Sequence, residues 1–239
     1  MNFYFLAAVA LITTALIYAY LQESGRRDPD ALRLSEILND YLGLLRNRDF
    51  LRYTIIGGST IAFFFAFVTA GPFIIIKQYG LPTEYFGYFQ GLLVLAYGAG
   101  SLLTGRLARR WTGDELMLLG MVPAVGGGVA LVAIVYGGYE SVTALAIALC
   151  IMSFGDGPVF ATTPTLAMNA STGRTGPAAA MLLAIEVGMG SLAALSVGVF
   201  HDGTSRPFAL TCGFFCLLAV AAGLWGRKQA GPTHATSPT

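Results

Sequence analysis

The chain has 239 residues, 55% of them hydrophobic and only 11% charged, with a formal net charge of +1. A soluble domain carries about 25% charged residues, so this composition excludes an ordinary soluble enzyme. It points to a protein that lives in the membrane.

Seven apolar segments follow one another, at residues 3–21, 53–76, 86–105, 116–136, 142–168, 177–200 and 207–226. Each can cross the ~30 Å hydrocarbon layer, which takes about 20 helical residues. Buried apolar runs in soluble α/β proteins last only about 4–8 residues. The fold class is therefore all-α integral membrane, with seven transmembrane helices. The first segment has no basic residue before it and no small-x-small site after Tyr18-Ala19-Tyr20-Leu21. It reads as a retained span, residues 1–21, and not as a signal peptide.

Residues 22–52 form the one long charged connection. Within it Leu34, Ile37, Leu38, Tyr41, Leu42 and Leu45 recur at helical spacing, which predicts an amphipathic helix on headgroups or against the bundle. Residues 53–228 hold the other six spans, and 229–239 form a tail. Cys150, Cys212 and Cys216 all fall in apolar segments without metal-ligand spacing and are expected to be packing residues. No cofactor is expected.

Five of the seven segments contain no Asp, Glu, Lys, Arg or His. The fifth contains Asp156 and the sixth contains Glu186, each near its middle. An acid at the bilayer centre costs about 2.5–3.5 kcal/mol even on insertion scales, which marks both as functional candidates. At 1.5 Å per residue, both sit about 18–21 Å from one boundary. Around the first acid runs Ser153-Phe154-Gly155-Asp156-Gly157-Pro158, with Thr163 and Pro164 beyond. Pro158 removes a backbone donor and crowds the carbonyl four residues back, so the helix is expected to break or bend at Gly155, Gly157 and Pro158. Ser153, Asp156 and Thr163 would form a polar seam on one face. The alternative is that the glycines serve close packing while a neutral Asp156 satisfies freed backbone groups. Glu186 shares its helix with Gly190, Ala194 and Gly198, which predicts a packing face turned away from lipid. Its alternative role is a protonated acid bonded across helices.

The second span offers Phe63, Phe64, Phe65 and Phe67, and the third Tyr97. Such rings can wall a cavity and attract a cation, although consecutive positions cannot all face one cavity and most are expected to meet lipid. Phe64 and Tyr97 are the aromatic site candidates.

If Met1 is outside, twelve basic residues fall inside, at Arg26, Arg27, Arg33, Arg46, Arg48, Arg52, Arg106, Arg109, Arg110, Arg174, Arg227 and Lys228. Only Lys77 and Arg206 fall outside. The positive-inside rule thus predicts an outer N-terminus and a cytoplasmic C-terminus.

Leu44-Leu45-Arg46-Asn47-Arg48-Asp49-Phe50, then Gly71-Pro72-Phe73, Tyr79-Gly80-Leu81 and Phe86-Gly87, resemble the bicyclomycin/chloramphenicol-resistance (Bcr/CflA) drug-efflux branch of the major facilitator superfamily. Gly105-Arg106-Leu107-Ala108-Arg109-Arg110 resembles the second copy of the superfamily's loop motif, and Asp202-Gly203-Thr204 with Pro207 the turn before its last helix. The motif continues Trp111-Thr112-Gly113-Asp114-Glu115, where the family tends to have glycine and basic residues. Glu186 stands where the branch more often has glutamine. The resemblance implies that six spans form the superfamily's C-terminal bundle, built as two inverted three-helix repeats, with residues 1–21 as the family's sixth helix. It implies a proton-coupled exporter of small amphipathic compounds in a bacterial inner membrane, with Gly105, Arg109 and Arg110 as a conformational loop. The family's first five helices would be missing. The expected partners are then substrate, protons, the lipid bilayer and an N-terminal half or other membrane protein, but no nucleic acid. A half-size chain without autonomous transport is the alternative expectation.

Enzyme readings fail on missing residues. No second intramembrane aspartate, Gly-x-Ser-x-Gly or His-Glu-x-x-His is present. The last span has no lysine for a retinal Schiff base.

Overall fold

The computed structural model describes residues 2–20, 34–171 and 175–227, and among these every regular element is helical. The helices are α1 (Asn2–Tyr20), α2 (Leu34–Arg46), α3 (Arg48–Pro72, continued by a π-helical turn Phe73–Gln78), α4 (Thr83–Leu107), α5 (Gly113–Tyr136), α6 (Val142–Ala170), α7 (Thr175–Val199) and α8 (Arg206–Arg227). Helices α3 with its π turn and α4 to α8 are six long, apolar candidate membrane spans. The first apolar helix is shorter, Phe3–Ala19. The basic residues at 26, 27, 33, 174 and 228 and the tail 229–239 lie outside the described residues, as do the side chains of Leu34 and Ile37.

The chain divides into two compact units between Ile37 and Leu38. In the first, all side chains of α1 from Phe3 to Ala19 are exposed. Its two threonine hydroxyls, at Thr13 and Thr14 in mid-helix, donate to the carbonyls of Val9 and Ala10, which satisfies these groups within the helix, as an apolar solvent requires.

The second unit is the bundle. Helix α3 starts at Arg48, five residues before the apolar pattern does, because Asn47 caps it: its Oδ1 accepts from the Asp49 and Phe50 amides. Thr112 and Glu115 make a capping box at the start of α5, and Ser141 caps α6. At one end Asn47 Nδ2 donates to the Ala170 carbonyl at 2.7 Å, and the Arg48 guanidinium lies over the Trp225 ring. At the other end Gln78 Nε2 and Ser205 Oγ each donate to Glu140 at 2.8 Å. These ties gather alternate helix ends on opposite faces, as short connections between spans require.

Helices α3 and α6 are central. Helix α3 packs on α6, α7 and α8, while α6 packs on α3, α4 and α5. Exchanging α3, α4 and α5 for α6, α7 and α8 reproduces this pattern, the arrangement that two inverted three-helix repeats give. The apolar core is split into two clusters. One lies toward the Glu140 end and includes Phe67, Leu131, Leu145 and Phe208. The other lies toward the Asn47 end and includes Leu44, Phe50, Met117 and Leu182. The level between them holds Gly57, Thr60, Asp156 and Glu186. Sequence patterning expected most of the phenylalanines of α3 at lipid, but Phe63 and Phe67 are buried in the core and Phe65 is partly covered. Only Phe64 of the four is largely exposed. In α2, Leu44 is buried while Leu38, Leu42 and Leu45 form an exposed stripe.

Candidate functional site

Helix α6 does not break at Gly155, Gly157 and Pro158; it is continuous from Val142 to Ala170. The reason lies in its neighbours. Pro158 leaves the Phe154 carbonyl without its helical donor, and Gly100 of α4 lies so close to that oxygen that a Cβ there would collide with it. Gly157 faces the same helix: a Cβ would sit 2.5 Å from the Tyr97 carbonyl oxygen and 2.7 Å from the Ser101 nitrogen. Gly155 is pressed on the other side against Ala124 and Gly120 of α5. The glycines seat two neighbouring backbones against α6, and this close packing confines it.

Between those glycines stands Asp156, at the middle of α6 and about 21 Å from either end at 1.5 Å per residue. It is 5% exposed. The Thr60 hydroxyl of α3 donates to its Oδ1 at 3.2 Å, and its Oδ2 has no hydrogen-bond partner among the described residues. Asp156 forms part of the wall of a cavity of about 330 Å³ between α3, α4 and α6. Ser153, Tyr97 and Phe64 line the same cavity, together with Phe63, Phe67, Phe160, Thr60 and Gln90. Four of the sequence candidates therefore meet in one place. An aromatic wall with one buried carboxylate suits an amphipathic guest with a polar or cationic group.

Glu186 and Thr163 are elsewhere. Glu186 is 4% exposed and Thr163 fully buried. Both aim at Gly57 of α3: a Cβ there would lie 2.5 Å from Glu186 Oε1 and 2.7 Å from Thr163 Oγ1. Neither of those oxygens has a hydrogen-bond partner among the described residues, and neither residue lines the 330 Å³ cavity. The buried face of α7 follows Glu186, Gly190, Ala193 and Val197, while Gly198 meets open space. The expected run through Ala194 and Gly198 drifts off this face, because four-residue steps gain about 40° each on a helix of 3.6 residues per turn.

Thr60 and Gln90 were not among the sequence candidates. Gln90 is the one amide in its span, and its Oε1 is buried without a hydrogen-bond partner among the described residues. Thr60 closes the small polar run Gly57-Gly58-Ser59-Thr60. Both signals are polar groups in apolar spans, weaker than a charge but of the same kind. Among the described residues no group of three or more His, Cys, Asp or Glu is placed to hold a metal ion.

The sequence profile of the Major Facilitator Superfamily matches residues 1–194. The chain belongs to this superfamily. It is a membrane transporter-family protein and not an enzyme. It is 29% identical over 242 residues to "Multidrug transporter MdfA" of Edwardsiella piscicida, covering 97% of this chain and 58% of that protein. It is 32% identical over 117 residues to "Bicyclomycin resistance protein homolog" of Haemophilus influenzae, covering 48% of this chain and 29% of that protein. An "Uncharacterized MFS-type transporter YdgK" of Bacillus subtilis is 27% identical over 210 residues, covering 86% of this chain and 51% of that protein. The chain thus spans less than two thirds of the length of these curated relatives.

The facilitator loop residues Gly105, Arg109 and Arg110 lie at the exposed turn where α4 ends and line no part of the cavity. The departure that follows them has a visible role in this facilitator. Thr112 and Glu115 cap α5, and Asp114 ties α5 to α3 by accepting from the Tyr53 hydroxyl at 3.0 Å and pairing with Arg52 at 3.5 Å.

Proposed function

We propose that this bundle is the C-terminal half of a proton-coupled efflux antiporter for small amphipathic compounds, with Asp156 as the group that binds a proton or a polar substrate in turn. The observation that carries this reading is the Oδ2 of Asp156, without a hydrogen-bond partner among the described residues, in the wall of the aromatic cavity and at the middle of α6. Transporters of this architecture bind substrate near the midplane, between two halves. Among the described residues that line the cavity there is no Lys or Arg, so a proton or a cationic guest neutralises a carboxylate there. Tyr97 and Phe64 supply the rings such a guest stacks on. Gln90, on α4 in the same lining, offers an acceptor. The multidrug and bicyclomycin-resistance relatives support export of drug-like compounds. The charge bias supports an outer N-terminus and a cytoplasmic C-terminus in a bacterial inner membrane. Glu186, with Thr163, is a second protonation candidate outside the cavity.

The cavity is open on one side, and the faces of α4 beside it are exposed, including Leu92, Val94 and Leu95. This favours a facing half, on the same polypeptide or another membrane protein, that closes it. Without that half the chain would act only as a subunit.

The test is drug-driven proton release in proteoliposomes of the full transporter. Asp156→Asn should abolish coupling and Thr60→Val should weaken apparent substrate affinity. Glu186→Gln should reduce coupling with little change in substrate affinity. Normal coupling in Asp156→Asn ends the reading. Cysteine labelling should find the 106–112 turn inside and residues 201–205 outside; the opposite result refutes the orientation.

A further inference from the structure

A groove of about 810 Å³ on the flank of α7 and α8 plays no part in the transport reading. Leu192, Leu210, Phe214 and Leu218 give it an apolar lining, and the first three of these are more than half exposed. It runs along α8 from Arg206 to Leu218, about 18 Å at 1.5 Å per residue. That is slightly more than half of a ~30 Å hydrocarbon layer, the depth of a single leaflet.

Two charged side chains, Asp202 and Arg206, line the groove where α7 gives way to α8. The Thr204 hydroxyl and amide donate to Asp202 Oδ1 at 2.6 and 2.9 Å. Those bonds, with Arg206 nearby, hold its carboxyl below the usual range, so it is an anion at neutral pH. One fixed anion and one guanidinium therefore stand at the headgroup end of a leaflet-deep apolar groove. A purely anionic headgroup would meet Asp202 unfavourably, whereas a headgroup with both signs satisfies both residues.

We propose that this groove is a binding site for a phospholipid whose headgroup carries a phosphate and a primary ammonium. Arg206 takes the phosphate, the bidentate chemistry guanidinium favours. Asp202 takes the ammonium, and an acyl chain fills the groove between α7 and α8.

The test is native mass spectrometry of the full-length protein released from bilayers of phosphatidylethanolamine and phosphatidylglycerol in equal parts with matched chains. The wild type should retain the ethanolamine lipid preferentially. Asp202→Asn keeps the Oδ1 acceptor for Thr204 and removes only the charge; it should cut that preference about threefold to fivefold, the scale of an exposed ion pair. Arg206→Gln should lower retention of both lipids, since both carry the phosphate, and leave the ethanolamine preference in place, while Arg206→Lys should keep part of that retention. Leu210→Trp should lower retention of both lipids while leaving the headgroup preference intact. Equal retention of the two lipids by the wild type, a glycerol-lipid preference, or unchanged behaviour in Asp202→Asn or Leu210→Trp would overturn the proposal. Helical circular dichroism of each variant separates loss of the site from loss of the fold.

Discussion

The joint between α4 and α6 and the joint between α3 and α7 occupy equivalent places in the two repeats, yet they use glycine differently. At the first, Gly100 and Gly157 bring backbone against backbone, and the nearest atoms are carbonyl oxygens and amide nitrogens. At the second, Gly57 and Gly58 receive the side chains of Glu186 and Met189 from α7, and Gly57 also meets Thr163 of α6. A backbone neighbour cannot step aside without moving its helix, whereas a side-chain tip can turn. One joint is therefore a rigid seam, and the other is a socket that holds polar groups and can readjust. The acids follow the same division, with Asp156 next to the seam glycine Gly157 and Glu186 resting in the socket.

The largest expected effect tests the seam. Gly100→Ala forces a methyl group into the Phe154 carbonyl and should cost about 3 kcal/mol, the upper part of the range for overpacking. A thermal melt in detergent that matches the wild type would show that the seam is not tight. Gly57→Ala should cost less, about 1–2 kcal/mol, because Glu186 and Thr163 must move but their helices need not. The double variant with Thr163→Ala should recover part of that loss, since the contact on the hydroxyl disappears. No recovery would mean that the socket is as rigid as the seam.

A helix cap gives an intermediate yardstick. Thr112→Ala removes the side chain that accepts from the Glu115 amide and should cost about 1 kcal/mol. A thermal melt of Thr112→Ala in detergent that matches the wild type would show that the capping box adds nothing to the bundle. The smallest effect belongs to Gly58→Ala. The neighbour there is the flexible Met189 thioether, and alanine gains about 1 kcal/mol of helix propensity over glycine. The two should nearly cancel, leaving stability within about 0.5 kcal/mol of wild type.

Much of the bundle was legible because hydropathy reports directly on spans. The six apolar runs from residue 53 onward match α3 to α8 within a few residues at most ends, and the larger miss, at Arg48, comes from an Asn cap that extends a helix into charged sequence. The acids were legible because charge in an apolar run is rare. Their surroundings were less so. Gly155, Gly157 and Pro158 read as a break or bend, because proline's missing donor is visible in sequence; that α6 runs on unbroken there depends on neighbouring helices, which are not. Thr60 and Gln90 escaped notice because a single neutral polar residue is common in spans and becomes informative only beside an unpartnered group.

The sequence by itself determined the number and extent of the bundle's spans, their charge asymmetry and the identity of the two intramembrane acids. These depend on local composition, which apolar solvent reads residue by residue. Only the tertiary structure decided that Asp156 faces a cavity with Tyr97 and Phe64 while Glu186 is closed against Gly57. That choice depends on which helices meet and on the rotation each adopts about its axis. When every face of a helix is apolar, no periodicity marks the inward one, so close packing at glycines selects it.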